Sequence, residues 1–186
     1  MSDSDLAAFA LNRLGGETIP ADVAILFAQR EELMDRTEIS MSADLAWEPW
    51  LDTRYLSATD RANPEIMANV KAGEEVCRMI SFVAATDESE YFGYWRGPEN
   101  RPIAQSPLVV LDNEGQFELT GTRTLAEAIL SRATYDEESF NDLADWMRSL
   151  GITITMRSQY DLLDHTDGLK PSELHSSLYR QYSKPA

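Results

Sequence analysis

Several features that carry chemistry or localisation signals are scarce in this chain. It has one cysteine, Cys77, so it can form neither an intrachain disulfide nor a cysteine metal cluster within one chain. No apolar run approaches the roughly 18 residues of a membrane span. Residues 1–5 carry acids where a signal peptide carries positive charge. These absences predict a protein of the reducing cytoplasm that does not enter a membrane.

Positive charge is also scarce. The 186 residues include 16 Lys and Arg against 32 Asp and Glu, which gives a formal net charge of −16. Direct binding to nucleic acid or to an anionic membrane needs basic side chains, so this balance argues against both. Two interpretations of the charge stay open, namely a basic protein partner or solubility alone.

Patterns for catalysis or metal binding are few. Of the two histidines, His165 is the best candidate for a metal or acid–base site, because the carboxylates of Asp164 and Asp167 could orient its imidazole or share a cation with it. The spacing fits no calcium loop and supplies no second histidine for zinc, which favours a polar loop. His175 has no evident partner, which favours a surface position. Nucleophile elbows and phosphate-binding glycine loops are also missing, so we expect no enzyme activity, metal or cofactor.

Hydrophobic periodicity predicts an α+β fold with a mainly antiparallel sheet of about four to six strands against several helices. Cys77 lies in an apolar stretch, which favours a core position. We expect the segment 37–63 to be mostly loop. The predicted helices span residues 4–14, 20–35, 64–73, 124–130, 134–150 and a segment from Pro171, and the predicted strands span 76–86, 90–96, 108–111, 117–119 and 152–156.

Local signals refine these elements. The first strand is apolar on both faces, which predicts a central strand covered on both sides. Gly93 within a strand indicates a bulge or a close backbone approach. Thr124 and Thr134 are each followed three residues later by glutamate, the reciprocal capping pattern of a helix start.

Four segments together resemble the SUKH superfamily, which includes yeast cell-wall-assembly regulators and many bacterial immunity proteins. They are Pro20 opening an early helix, the strand Tyr91-Phe92-Gly93-Tyr94-Trp95, the strand 107–112 with its Gly115 turn, and the helix 124–130. The resemblance implies an α+β fold and supplies no catalytic residue. It divides the single domain 1–186 into an N-terminal helix (1–17), a family-like core (18–150) and a C-terminal extension (151–186). The segment 37–63 matches no part of the pattern.

The resemblance implies a function in binding. Members that this chain resembles are thought to neutralise polymorphic toxins, frequently nucleases, by binding them. Nuclease surfaces are commonly basic, so an acidic inhibitor would be steered towards them. We therefore expect an immunity protein that binds a basic toxin domain. The alternative is a regulatory or scaffold module for a cellular protein unrelated to toxins.

The candidate contact residues are acidic and aromatic. The position of Trp95, inward or outward, stays open because the strand register is not known. For the two tryptophans of segment 37–63, packing against the core is the competing interpretation. The candidates are Asp87, Glu88, Glu90 and Glu99 around the first hairpin, Trp95 as an anchor, and Trp47 and Trp50.

Overall fold

A five-stranded antiparallel sheet forms the centre of the computed structural model, which describes residues 3–164 and 168–184. Each strand pairs with the next along the chain, in the order β1-β2-β3-β4-β5. Helices pack on the sheet, so the predicted α+β class is confirmed. The strands are β1 Ile39–Ser40, β2 Ile80–Thr86, β3 Tyr91–Trp95, β4 Leu108–Leu111 and β5 Phe117–Leu119.

The described residues also form eight α-helices and two short 3-10 helices. The 3-10 helices are Pro49–Leu51 and Ile103–Gln105. The α-helices are α1 Asp3–Leu14, α2 Ala21–Ala28, α3 Arg30–Thr37, α4 Ala58–Ala62, α5 Pro64–Cys77, α6 Leu125–Ala133, α7 Glu137–Ser149 and α8 Pro171–Tyr182.

Both faces of the sheet are covered. Phe92 and Val110 belong to the larger hydrophobic cluster, together with buried residues of α1, α2, α6 and α7. Phe82 and Val109 belong to a smaller cluster on the opposite face, with the end of α5 and with Leu174 of α8 packed against it. The strand β2 contributes to both clusters, which explains why its sequence is apolar on both faces.

Gly93 lies where two strands approach closely. A Cβ atom at this position would lie 2.5 Å from Cγ2 of Ile80 and 3.0 Å from the carbonyl oxygen of Ser81. The pairing of β2 with β3 also shifts register between Phe82 and Ala84, which marks a β-bulge. Of the two alternatives predicted for Gly93, the close approach is confirmed, whereas the bulge lies in the partner strand β2.

Two predicted helix boundaries are wrong. The helix expected over residues 20–35 is two helices, α2 and α3, separated at Gln29 with φ −106° and ψ 20°. The helix expected to end near Gly73 continues to Cys77, because its last turn buries apolar side chains against the sheet. The following strand therefore begins at Ile80 rather than at residue 76.

One of the two predicted reciprocal caps forms in part, because the Glu127 carboxylate accepts hydrogen bonds from Arg123 and Thr155 and not from the Thr124 amide. The side chain of Thr124 accepts a hydrogen bond from the third backbone amide of α6. The cap predicted at Thr134 is wrong, because its hydroxyl donates to the Leu130 carbonyl at the end of α6. Asp136 caps α7 instead, in a reciprocal pair with Ser139.

The segments outside the main elements agree with expectation only in part. The strand predicted over residues 152–156 does not form; the buried Glu127 carboxylate accepts hydrogen bonds from the amide and hydroxyl of Thr155 at 2.8 and 2.6 Å. The segment 37–63 is mostly loop, as expected, and it also contains β1, a 3-10 helix and α4. Side-chain hydrogen bonds fix the chain path where no strand ladder is available.

Candidate functional site

A groove of about 670 Å³ opens over the smaller hydrophobic cluster. Tyr91, Leu111 and Phe117, one residue from each of β3, β4 and β5, form its sheet side. The 3-10 helix Pro49–Leu51 and the helix α5 also line it. Its size lies within the roughly 300–1,000 Å³ typical of ligand pockets.

Two hairpin turns meet at one edge of this groove. Tyr91 of β3 pairs with Leu111 of β4, so the turn before β3 and the turn after β4 emerge at the same end of the sheet. Glu88 belongs to the first turn, and Asp112 and Glu114 belong to the second. The strand order thus brings together acids that lie more than twenty residues apart in sequence.

Trp50 forms an aromatic wall of the groove. Its ring centroid lies 4.5 Å from that of Phe82 and 6.0 Å from that of Tyr91. Trp47 contacts it edge to face, with centroids 5.4 Å apart. Both tryptophans stay partly exposed, so they combine packing against the core with an accessible ring surface.

Arg13 of α1 holds the loop that carries the tryptophans. Its guanidinium donates to the backbone oxygens of Trp47 at 2.7 Å and Asp44 at 2.6 Å, and it lies 5.7 Å from the Trp50 ring. Burial lowers the pKa of Arg13, while Glu48 and Asp44 oppose that shift. The positive charge of Arg13 therefore interacts with loop carbonyl oxygens and aromatic rings inside the structure, and it does not neutralise the groove.

The groove lining is strongly acidic. Among the residues that the structure describes, five carboxylates and no lysine or arginine line it. Asp52 is neutralised by the side chain of Arg54, whose hydrogen bonds lower the pKa of Asp52 to about 2. Glu74 lies 3.6 Å from the guanidinium of Arg78. The other three carboxylates are those of Glu88, Asp112 and Glu114.

These three carboxylates have no cationic partner among residues 3–164 and 168–184. Asp112 accepts hydrogen bonds from the amides of Glu114 and Gln116, and Glu114 accepts one from the side-chain amide of Gln116. Such bonds order the turn without cancelling its charge. The groove therefore presents uncompensated negative charge beside aromatic rings.

Two further side chains that line the groove, those of Cys77 and His175, carry titratable groups. Burial raises the pKa of the Cys77 thiol to about 12, so the thiol is neutral at pH 7, and its predicted core position is confirmed. His175 is half-buried and lies 5.7 Å from the ring of Phe117, which corrects the surface position expected for it. Burial lowers the pKa of His175, and a hydrogen bond with the Asn69 backbone opposes the shift.

The other candidate residues lie elsewhere. Trp95 is 2% exposed and its indole nitrogen donates to the Leu169 carbonyl oxygen at 2.8 Å, so an outward anchor position is wrong. Glu90 lies 4.0 Å from Arg132, and Glu99 lies 3.3 Å from Arg101. Asp87 is exposed in the turn next to Glu88 but does not line the groove.

The metal candidate cannot be placed, since His165 and Asp167 lie outside the described residues. Within the described ranges, no three His, Cys, Asp or Glu side chains are grouped as metal ligands. None of the helices in these ranges has the length and apolarity required to cross a membrane. Comparisons with protein-family models, curated proteins and solved structures found no match.

Sequence reasoning missed part of this site. It named Trp50 and Glu88, which line one groove, but not the turn of Asp112 and Glu114 or the ring of Phe117. One signal was present: consecutive hairpins in an antiparallel meander place alternate turns at the same end of the sheet. The arrangement is suited to binding a cationic group, because aromatic faces and carboxylates both attract positive charge.

Proposed function

We propose that this chain is a non-enzymatic protein-binding domain, an immunity protein that neutralises a cognate polymorphic toxin by binding a basic domain of it. In this proposal the chain acts in the cytoplasm and uses no cofactor. The sequence resemblance to the SUKH superfamily is the reason for proposing a toxin as the partner. The groove provides a surface whose chemistry suits such a partner.

The convergence of two sequence-predicted patches is the observation that carries the proposal. Trp50, from the segment outside the family-like pattern, and Glu88, from the first hairpin, line the same groove. Aromatic residues are enriched at protein interfaces, where they bury large areas at a low cost in side-chain entropy. A partly exposed aromatic ring beside unpaired carboxylates is suited to a basic protein surface.

Net charge supports the same partner. A formal charge of −16 on 186 residues speeds encounter with a basic domain and repels acidic ones. A nuclease domain fits because it holds phosphates with basic side chains. Steering of this kind weakens as salt screens the charges, so the association rate should fall steeply with ionic strength.

The proposal predicts a toxin gene beside the gene for this chain, and the test uses the toxin domain that it encodes. Purified toxin and purified chain are titrated in a calorimeter at low salt, and toxin activity is measured with increasing chain. The proposal predicts stoichiometric binding and loss of activity. No binding together with unaltered activity would refute it. Binding to a basic cellular protein, with no toxin gene adjacent, would favour the regulatory alternative.

A further inference from the structure

The groove has the chemistry of a receptor for one kind of side chain. Glu88, Asp112 and Glu114 come from two adjacent turns and keep their charge uncompensated within the described residues. Glu88 makes no hydrogen bond to another described side chain, so its carboxylate is free to accept donors from a ligand. A cation that enters here meets carboxylates without displacing an existing ion pair.

The aromatic part of the lining selects among cations. Trp50 and Tyr91 are partly exposed, and their rings lie roughly perpendicular, with an interplanar angle of 75° and centroids 6.0 Å apart. A planar guanidinium stacks on such rings and bonds a carboxylate through two parallel donors at the same time. A lysine ammonium is a compact, strongly hydrated charge and gains less from this combination.

We propose that the groove binds an arginine side chain presented by an exposed segment of the basic protein partner, with the guanidinium held between the Tyr91 ring, beside Trp50, and the carboxylates of Glu88 and Glu114. The nature of the partner rests on the proposed function. The volume of about 670 Å³ also accommodates side chains that flank the arginine. Leu111 and Phe117 offer these neighbours apolar contact.

Arginine specificity is tested with three short peptides and isotope-labelled full-length chain. The probes are acetyl-Gly-Arg-Leu-Arg-Gly-amide, its lysine counterpart, and its citrulline counterpart, which keeps the shape without the charge. We expect the arginine peptide to shift NMR signals of Trp50, Tyr91 and the two acidic turns. We expect the lysine peptide to bind at least about threefold more weakly, and the citrulline peptide to leave the signals unchanged.

A charge-matched pair of variants separates the groove from general attraction. Glu88→Gln/Glu114→Gln removes two charges from the groove, and Glu31→Gln/Glu138→Gln removes two from exposed positions on α3 and α7. The groove variant should bind the arginine peptide on the order of tenfold more weakly, and the control variant should bind like the unchanged chain. Equal weakening in both variants would overturn the proposal, since it would show attraction by net charge alone.

The peptide experiment and the toxin experiment can refute the arginine site and the immunity function independently of each other. If the peptides leave the groove signals unchanged while the toxin is bound and inhibited, the arginine site is refuted and the immunity function stands. If the arginine peptide binds in the groove while the neighbouring toxin is not bound, the immunity function is refuted and the site stands. Equal affinity for the arginine and lysine peptides would also refute the arginine assignment.

Discussion

The indole ring of Trp50 stacks on the phenyl ring of Phe82, with ring centroids 4.5 Å apart and planes inclined by 31°. Phe82 is buried in β2, whereas Trp50 keeps part of its surface exposed. The contact therefore attaches the segment 37–63, which is mostly loop, to the sheet. Part of the Trp50 ring remains available to a partner. Packing and binding are compatible roles for the same side chain.

Replacing Trp50 by alanine tests the structural half of this role. Trp50→Ala should lower the free energy of unfolding by about 2 kcal/mol, less than for a fully buried tryptophan, because part of the ring is in solvent. Trp50→Phe, which keeps a ring against Phe82, is the control and should recover most of the loss. Urea unfolding measures both. An alanine variant as stable as the unchanged chain would show that the ring does not hold the segment.

The close approach at Gly93 predicts a strong effect of one methyl group. Gly93→Ala places Cβ 2.5 Å from Cγ2 of Ile80 and 3.0 Å from a β2 carbonyl oxygen, so we expect destabilisation by about 1–3 kcal/mol. Gly73→Ala is the matched control, because nothing lies within 4 Å of a Cβ at that position in α5. The control should gain about 0.5–1 kcal/mol. Thermal unfolding that ranks the two variants in the opposite order would contradict the register.

The sequence was informative wherever a local pattern decided the structure. Short apolar stretches bounded by turn residues predicted β2, β3 and β4, and Gly93 indicated a close backbone approach before any register was known. The break at Gln29 was missed because neither glycine nor proline marks it. The extension of α5 past Gly73 depends on burial of its last turn against the sheet, which is a tertiary effect.

Asp22 predicts a pH dependence of stability. Burial raises the pKa of its carboxyl group, and hydrogen bonds such as that from the Ala126 amide oppose the shift. Since the folded state binds the proton more tightly than the unfolded chain, this group lowers stability as the pH rises from about 3.8 through the raised folded-state pKa. At pH values above the folded-state pKa, the destabilisation by the ionised Asp22 carboxylate reaches its full size.

Asp22→Asn should remove this component. The stability of the unchanged chain relative to the variant should therefore be higher at pH 3 than at pH 7, as measured by chemical unfolding at both values. Asp142→Asn, on the exposed side of α7, controls for the loss of one negative charge. A constant difference between the unchanged chain and Asp22→Asn across this range would refute the buried state of the carboxyl.

The hydrogen bond from Trp95 to Leu169 predicts how α8 is held. It joins β3 to the residues before α8 across 74 positions of the chain. Trp95→Phe keeps an aromatic ring and loses the donor, so we expect a loss of about 1 kcal/mol and faster amide exchange over residues 168–182. Trp146→Phe, in the larger cluster, is the control and should leave exchange in that segment unchanged. Unaltered exchange in Trp95→Phe would show that α8 docks without this bond.

The candidate site was only half predictable, for a reason of topology. Trp50 and Glu88 were both candidate contact residues, yet nothing local in the sequence places them in one groove. The meander does so, because it returns the turn of Glu114 to the same edge of the sheet. Trp95 shows the opposite case, since only the register decides that its ring points into the core.

Hydrogen exchange of the chain, measured alone and with a toxin domain encoded beside its gene, locates the surface that the proposed partner would cover. We expect slower exchange on binding in three segments that contain groove-lining residues: 49–53, 87–91 and 112–117. We expect no change over the exposed positions of α3 and α7, on other parts of the surface. Protection confined to α3 or α7, with the three groove segments exchanging as in the free chain, would contradict the claim that this groove is the binding surface.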